Sequence, residues 1–406
     1  MLLNRVCITG VGVMSPLGDS VEELNQNLFA GRSSVAVVNI MDFAIPAASY
    51  EGSVTGGLGL CDVVGATRTV RMAVAGARRA MGHAGLVDHV FDRGRAGVFV
   101  GVGNAPIDVV FDNFRTLHDT GRVGPMTLLR ALPSGPASFV AIDQNFQGAC
   151  HCYTTACASG MMAISQAFYQ IGSGRLDIAI AGGADAPLDW GTVAAWKALR
   201  VLAPTDAADA SRSCRPFASK RGGVVLGEGA AMFVLESEAS ARARGATILA
   251  VIAGVGESCD AHHITKPDLD GQLRCMSETL VNADLEPTDV DLVIAHGTGT
   301  IVGDVVETKS LRVLLNSHAD NIMVVGNKSL IGHTLGAAGA FNLCSAIMAV
   351  YYDKVSGTYH LDANDENCNL NYLPNSSIST GAIGNVLVNT FGFGGINSCL
   401  LVSRFQ

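Results

Sequence analysis

The chain has 406 residues, more than one hydrophobic core usually spans, so two domains or one large fused pair are expected. Hydrophobic residues make up 49% and charged residues 16%, which excludes an intrinsically disordered chain. A net charge of -9 and a pI of about 5.5 exclude broad binding to nucleic acid or anionic membranes, because no basic surplus exists to neutralise phosphates.

The first ten residues, MLLNRVCITG, lack the charged start and long apolar core of a secretion signal and run straight into a strand pattern. Strand-like runs follow at 6–11, 96–102, 178–182, 231–235, 248–255, 291–296, 322–326 and 386–390, with amphipathic helical stretches between them. That alternation predicts an α/β architecture, a sheet covered by helices on both faces. The runs near 248 and 291 open a second series resembling the first, and the polar helix 237–244 precedes it, so the expected division is 1–245 and 246–406. No Pro/Ser-rich linker marks it, so the halves are expected to pack together. The most apolar stretch, 336–352, is of near-membrane length but contains Asn342, Ser345 and many small residues, so it reads as a buried helix and no membrane span is expected.

Eleven cysteines, an odd number with no C-x-x-C pair, point to reduced thiols and a cytoplasmic protein. Cys150, His151 and Cys152 are adjacent, but neighbours on an extended chain face opposite sides, so a strand approaching a turn is favoured over a metal site. Among the eleven, Cys157 has a distinctive setting. The residues after it, ASGMMAISQAFYQIGSG, place Met161, Ile164, Phe168 and Ile171 on one helical stripe that Gly172 stops. Cys157 therefore sits at a helix N-terminus, which favours its thiolate and is expected to bring the thiol below its free pKa of about 8.5. Thr154, Thr155 and Ala156 before it and Ala158, Ser159 and Gly160 after it are small, as a sharp strand-to-helix elbow requires.

In DLVIAHGTGT, residues 291–300, a buried-strand pattern delivers His296 at its carboxyl end, the edge of a sheet where ligand sites collect. In VVGNKSLIGHTLGAAGA, residues 324–340, a second apolar strand delivers Lys328 and then His333 on a glycine-flanked turn. Either histidine alone would more often be a hydrogen-bonded core residue. A lysine amid apolar sequence needs a partner, for which Asp304 or Glu307 is the candidate. Near the C-terminus NTFGFGGINS, residues 389–398, has three glycines that let backbone N–H groups approach a ligand, as an oxyanion site would need. The chain lacks a G-x-x-x-x-G-K-[ST] run, so no nucleotide-triphosphate site is expected.

Five motifs in order, TTACASG around Cys157, CRPFASKRGGVVLGEGAAMFVLE from Cys214, HGTGTIVGD from His296, NKSLIGHTLGAAGA from Asn327 and FGFGGINS from Phe391, resemble the β-ketoacyl-acyl-carrier-protein synthases of the elongating class, and the likeness runs nearly end to end. The resemblance implies a thiolase-like fold of two related βαβ-rich halves with a layered α/β/α/β/α core. It implies a 3-oxoacyl synthase, an acyltransferase acting in fatty-acid or type II polyketide synthesis without cofactor or metal. Cys157 would accept the acyl group, His296 and His333 would activate the malonyl donor, and Lys328 with Glu307 and Asp304 would set the electrostatics. Phe393 would serve as oxyanion donor and gate, flanked by Phe391 and Gly392, with Thr298 and Thr300 in the substrate site. Val102 and Asn104, within 101–107, would lie on the floor of an acyl tunnel beside a subunit interface. An acidic acyl carrier protein would dock on Arg68, Arg71, Lys197 and Arg200, and the enzyme would be a homodimer or a heterodimer with a chain-length-factor-like subunit. Three positions depart from the usual pattern: Ile396 in place of threonine, Gly299 in place of serine, and Cys150 to Cys152 in place of a Pro-Ser entry. A thiolase would carry a second cysteine in a C-x-G loop, an initiating synthase an asparagine at position 333, and a non-catalytic chain-length partner would have lost the cysteine.

Overall fold

Among the described residues ten strands pair into one sheet, and its two ends repeat one another. The computed structural model describes residues 4–52, 54, 57–104, 106–381 and 383–406. The first half contributes β1 (Val6–Met14), β2 (Ala96–Gly101), β3 (Cys150–Tyr153), β4 (Ile178–Asp185) and β5 (Gly229–Ser237). The second contributes β6 (Ala250–Cys259), β7 (Leu292–Ile294), β8 (Met323–Val325), β9 (Asn385–Gly392) and β10 (Ile396–Ser403). The spatial order is β8-β7-β9-β10-β6-β1-β5-β4-β2-β3. Read inward from each edge, both halves run third, second, fourth, fifth, first. Their pairings also agree: two parallel contacts at the outer edge, then two antiparallel ones. The halves are joined through β1 and β6, where Val6 faces Ile252.

Both faces of the sheet are covered, which explains why the central strands read as nearly unbroken apolar runs. All residues of β1, β4 and β5 are buried. Helix α1 (Arg68–His83) packs on one side of the first half, with Val70, Met72, Val74 and Met81 against Val98, Val100, Ile178 and Ile180. Between the halves lie α2 (Ser159–Gly172) and, further along the chain, α5 (Ala338–Tyr352), whose Met161, Ile164, Phe341 and Ile347 share one core with Val6, Ile8, Val388 and Leu400. Helices α3 (Leu269–Ala283) and α4 (Ile301–Leu315) cover the far side of the second half. This is the layered α/β/α/β/α arrangement expected from the sequence.

Each of the eight predicted strands is present, with ends moved by a few residues, and 150–153 is a strand as read. The stripe on α2 is buried as its periodicity requires, and the helix ends at Gly172. The apolar stretch through Tyr352 is a core helix, 89% of which is covered by the rest of the chain. One central strand was not foreseen. In β10, residues 396–403 follow a glycine turn so closely that INSCLLVS reads as its continuation, and only pairing with β9 and β6 makes it a strand.

Candidate active site

The repeat places two sharp turns against each other. After β3 the chain makes a short 3-10 turn, Ala156–Ala158, and enters α2. After β8 it reaches His333, makes the 3-10 turn Leu335–Ala337, and enters α5. Each turn begins with a non-glycine residue at positive φ, Ala156 at 51° and Leu335 at 47°. Such a conformation costs about 1 kcal/mol or more and persists only where packing enforces it. The enforcing contact is backbone on backbone: a Cβ added at Gly160 would stand 2.5 Å from the carbonyl oxygen of Gly336. Cys157 is thus the second residue of one elbow, and Gly336 is the second residue of the other.

A buried carboxylate ties this junction together. Asp185, the last residue of β4, accepts hydrogen bonds from the backbone N–H of Gly336 at 2.6 Å, Gly103 at 2.8 Å and Asn104 at 3.3 Å. Burial outweighs those three donors and pushes its carboxyl up to about 7. Sequence reading missed Asp185, because an acidic residue after a Gly-Gly pair looks like an ordinary loop start.

At the first elbow the Cys157 sulfur lies 3.1 Å from His333 Nε2. The N–H of Leu335 donates to His333 Nδ1 at 3.3 Å, so the ring proton of a neutral His333 belongs on Nε2, facing the sulfur. The His296 ring stands 5.5 Å from the His333 ring, nearly perpendicular to it, and its Nδ1 has no hydrogen-bond partner among the described residues. One donor atom from each of Cys157, His296 and His333 lies within 4.8 Å of the other two, a spacing that would also suit a thiophilic metal ion. The protonated Nε2 of His333 argues for donation rather than ligation. The three residues meet in a cavity of about 360 Å³ that is also lined by Thr298, Thr300, Phe391 and Phe393.

His296 is held through its backbone. Its N–H donates to Glu307 Oε1 at 2.7 Å, the N–H of Gly297 donates to Oε2 at 2.8 Å, and Lys328 Nζ donates to the His296 carbonyl at 2.5 Å. Asp304 does the same for the next turn, accepting from the N–H groups of Thr298 and Gly299, each at 3.1 Å, and of Phe217 at 2.7 Å. Burial pushes the Asp304 carboxyl up to about 7 and raises Glu307 as well. Burial, with the Lys328 charge nearby, holds both imidazoles well below the usual histidine range, so both are neutral near pH 7. Burial also lowers Lys328 to about 8.

Two expectations need correction, and the other two concern where residues lie. Cys157 is not an acidic thiol: burial dominates and pushes it up to about 11, although the Lys328 charge and the backbone N–H groups of Phe393 and of Cys157 itself, both directed at the sulfur, oppose that rise. Lys328 makes no ion pair within 4.0 Å among the described residues, because the oxygens of Glu307 and Asp304 are taken by backbone N–H groups. Val102 and Asn104 do not line the cavity that holds Cys157. They border a separate small one, and residue 105 of that segment lies outside the described residues. Of the four basic candidates only Arg200 reaches the mouth of the main cavity. Arg68 is bound to Glu228 at 2.8 Å, Arg71 to Asp62 at 2.6 Å, and exposed Lys197 lies over the Phe43 ring. Trp196, which stacks on Phe393 in the cavity wall, was missed as well.

The β-ketoacyl synthase N-terminal domain matches residues 3–241, and the β-ketoacyl synthase C-terminal domain matches residues 249–362. The chain is 36% identical over 409 residues to nodulation protein E of Rhizobium leguminosarum bv. trifolii, covering 98% of each chain. It is 33% identical over 412 residues to 3-oxoacyl-[acyl-carrier-protein] synthase 2 of Synechocystis, covering 99% of each. Among solved structures, the ishigamide ketosynthase/chain length factor superposes with a TM-score of 0.91 at 30% identity, over 99% of this chain and 100% of that one. A type II polyketide synthase acyl-carrier protein in complex with its ketosynthase gives 0.91 at 27% identity, with the same coverage.

Proposed function

The chain belongs to the β-ketoacyl synthase family and is an acyl-transferring condensing enzyme, and from that premise we propose how its residues divide the reaction. The carrying observation is the Cys157 sulfur, 3.1 Å from a donor imidazole, with the backbone N–H groups of Cys157 and Phe393 directed at it. In the first half-reaction the sulfur attacks an acyl thioester on a carrier protein. The carbonyl oxygen becomes an oxyanion where those two N–H groups receive it. The old C–S bond breaks, the carrier leaves as a free thiol with the proton of Cys157, and the acyl group stays on the enzyme.

In the second half-reaction a malonyl thioester occupies the same cavity. Nε2–H of His333, with His296 beside it, donates to the thioester oxygen, so loss of carbon dioxide produces an enolate rather than a free carbanion. The enolate carbon attacks the acyl-Cys157 carbonyl, a C–C bond forms, and the Cys157 thiolate leaves. The high pKa of this buried sulfur returns it to the thiol by taking one proton from solvent. Neutral imidazoles suit the step because they donate without a charge that must itself be desolvated. Glu307 and Lys328 act on His296 through its backbone and through charge.

The same reading covers partners. Arg200 and Lys266, beside exposed Ile264, Ile301 and Val302, form a basic and apolar rim at the cavity mouth fit for an acidic acyl carrier. Exposed Phe111, Phe114 and Leu117 on one helix, Leu128 and Leu129 on the next, and the open edge of β3 would be covered by a second subunit, identical or chain-length-factor-like. All eleven cysteines are free, in keeping with a cytoplasmic enzyme. Incubation with a panel of acyl carrier thioesters, followed by intact-mass measurement, tests the assignment. An acyl adduct that maps to Cys157 and disappears in Cys157→Ala is expected, and an adduct that survives that substitution would refute it.

A further inference from the structure

The turn that carries Phe393 is fixed on both sides. Gly394 N–H donates to the Ile264 carbonyl at 2.7 Å, and the Gly395 carbonyl accepts from Asp260 N–H at 2.8 Å. Gly395 has φ of 72°, and a Cβ there would stand 2.6 Å from that of Asp260, so the anchor can only be glycine. On the other side, β9 runs paired with β10 up to Gly392. What can swing is the Phe393 side chain and its own peptide.

That side chain lies against Trp196, with ring centroids 5.8 Å apart and planes 27° from parallel, and both rings border the cavity that contains Cys157. Trp196 belongs to a separate helix, Trp190–Ala198, whose Val193 is fully buried and whose N-terminus is capped by the Asp189 side chain. The tryptophan is therefore a fixed surface and the phenylalanine the movable partner. In the stacked position the Phe393 N–H is aimed at the sulfur, as acylation requires.

We propose that Trp196 is a positioning residue, a latch whose stacking on Phe393 holds that side chain and its peptide closed over Cys157 and sets the balance between acylation and admission of the second thioester. The consequence for the two half-reactions rests on the ketosynthase reading, while the latch itself rests on the stack. An offset stack of this kind shifts an equilibrium by about threefold to tenfold.

Alkylation of Cys157 by iodoacetamide, followed by the mass of the peptide that carries it, reads how often Phe393 swings away and needs no acyl substrate. Trp196→Ala is expected to react about threefold to tenfold faster than the unaltered enzyme, and Trp196→Phe, which still stacks, at close to the unaltered rate. Equal rates for Trp196→Ala and the unaltered enzyme, or a Trp196→Phe protein as fast as Trp196→Ala, would overturn the latch. The chain has only two tryptophans, so Trp190→Phe leaves Trp196 as the sole tryptophan, excited selectively at the red edge of its absorption. Its fluorescence is expected to change when an octanoyl thioester loads Cys157, with loading confirmed by intact mass. Loading with no change in emission also overturns the latch. An octanoyl mass that never appears would count against the ketosynthase reading instead, leaving the alkylation series to decide the latch.

Discussion

The two halves of this molecule follow the same path and deliver different chemistry. Both cross the sheet in the same strand order, and both enter a long helix through a 3-10 turn opened by a residue at positive φ. The first turn then offers a thiol at Cys157, and the second offers only Gly336. The second half instead spends its turn on His333, two residues before Leu335, whose N–H fixes which imidazole nitrogen keeps the proton. The repeated backbone thus builds one junction, and side chains alone divide it into a half that holds the acyl group and a half that activates the donor.

The largest effects should come from breaking that division. Cys157→Ala is expected to give no acyl adduct by intact mass, while decarboxylation of a malonyl thioester, which needs only the second half, should persist. His333→Ala should still take up acyl groups on Cys157 but condense about 10² to 10⁴ times more slowly. If His333→Ala lost acylation and condensation equally, the two halves would not be separable. Because both imidazoles sit well below the usual histidine range, decarboxylation by Cys157→Ala should stay flat as pH falls through 6.5. Alkylation of Cys157 in the unaltered enzyme should by contrast keep rising above pH 9, because burial has moved that thiol up to about 11.

Asp185 sharpens the comparison, since it bonds the second elbow at Gly336 from a strand of the first half. Asp185→Asn cannot offer acceptor oxygens to three N–H groups and should cost about 1 to 3 kcal/mol of stability in denaturant unfolding. The pH dependence has a definite sign. The folded carboxyl is raised from 3.8 to about 7, so its contribution is complete below about pH 4 and is lost as pH rises through 7. The deficit of Asp185→Asn relative to the unaltered protein should therefore be larger at pH 5 than at pH 8, and a deficit that grew with pH would contradict the burial argument.

How much of this was legible in the sequence follows from what each residue depends on. The strands, the stripe on α2 and the elbow around Cys157 were legible because period, small residues and helix entry are local properties. His296 and His333 were legible because each ends an apolar strand at a glycine turn. Asp185, Trp196 and β10 were not, because each takes its meaning from a partner far along the chain: Gly336, Phe393 and β6. The thiol pKa was misread for a related reason. A helix N-terminus can be seen in sequence, whereas the burial that outweighs it is set by both halves closing over the sulfur.

The smallest effect concerns the surface, where the same contrast separates two arginines that sequence alone treats as equals. Arg200 is exposed at the rim of the catalytic cavity, whereas the Arg71 side chain is 15% exposed and holds Asp62 and the carbonyls of Cys61 and Ala66. A rim charge acts mainly by steering an acidic partner, and an exposed ionic contact contributes roughly 0.2 to 1 kcal/mol. Arg200→Glu should then weaken carrier-protein binding by about tenfold or less, measured by titration, with the loss shrinking as salt is raised. Arg71→Glu should leave that affinity unchanged and instead lower the unfolding midpoint, because it places a carboxylate among groups that were accepting hydrogen bonds. Equal losses of carrier affinity in the two variants would return Arg71 to the docking face, and with it the view that the rim extends across α1.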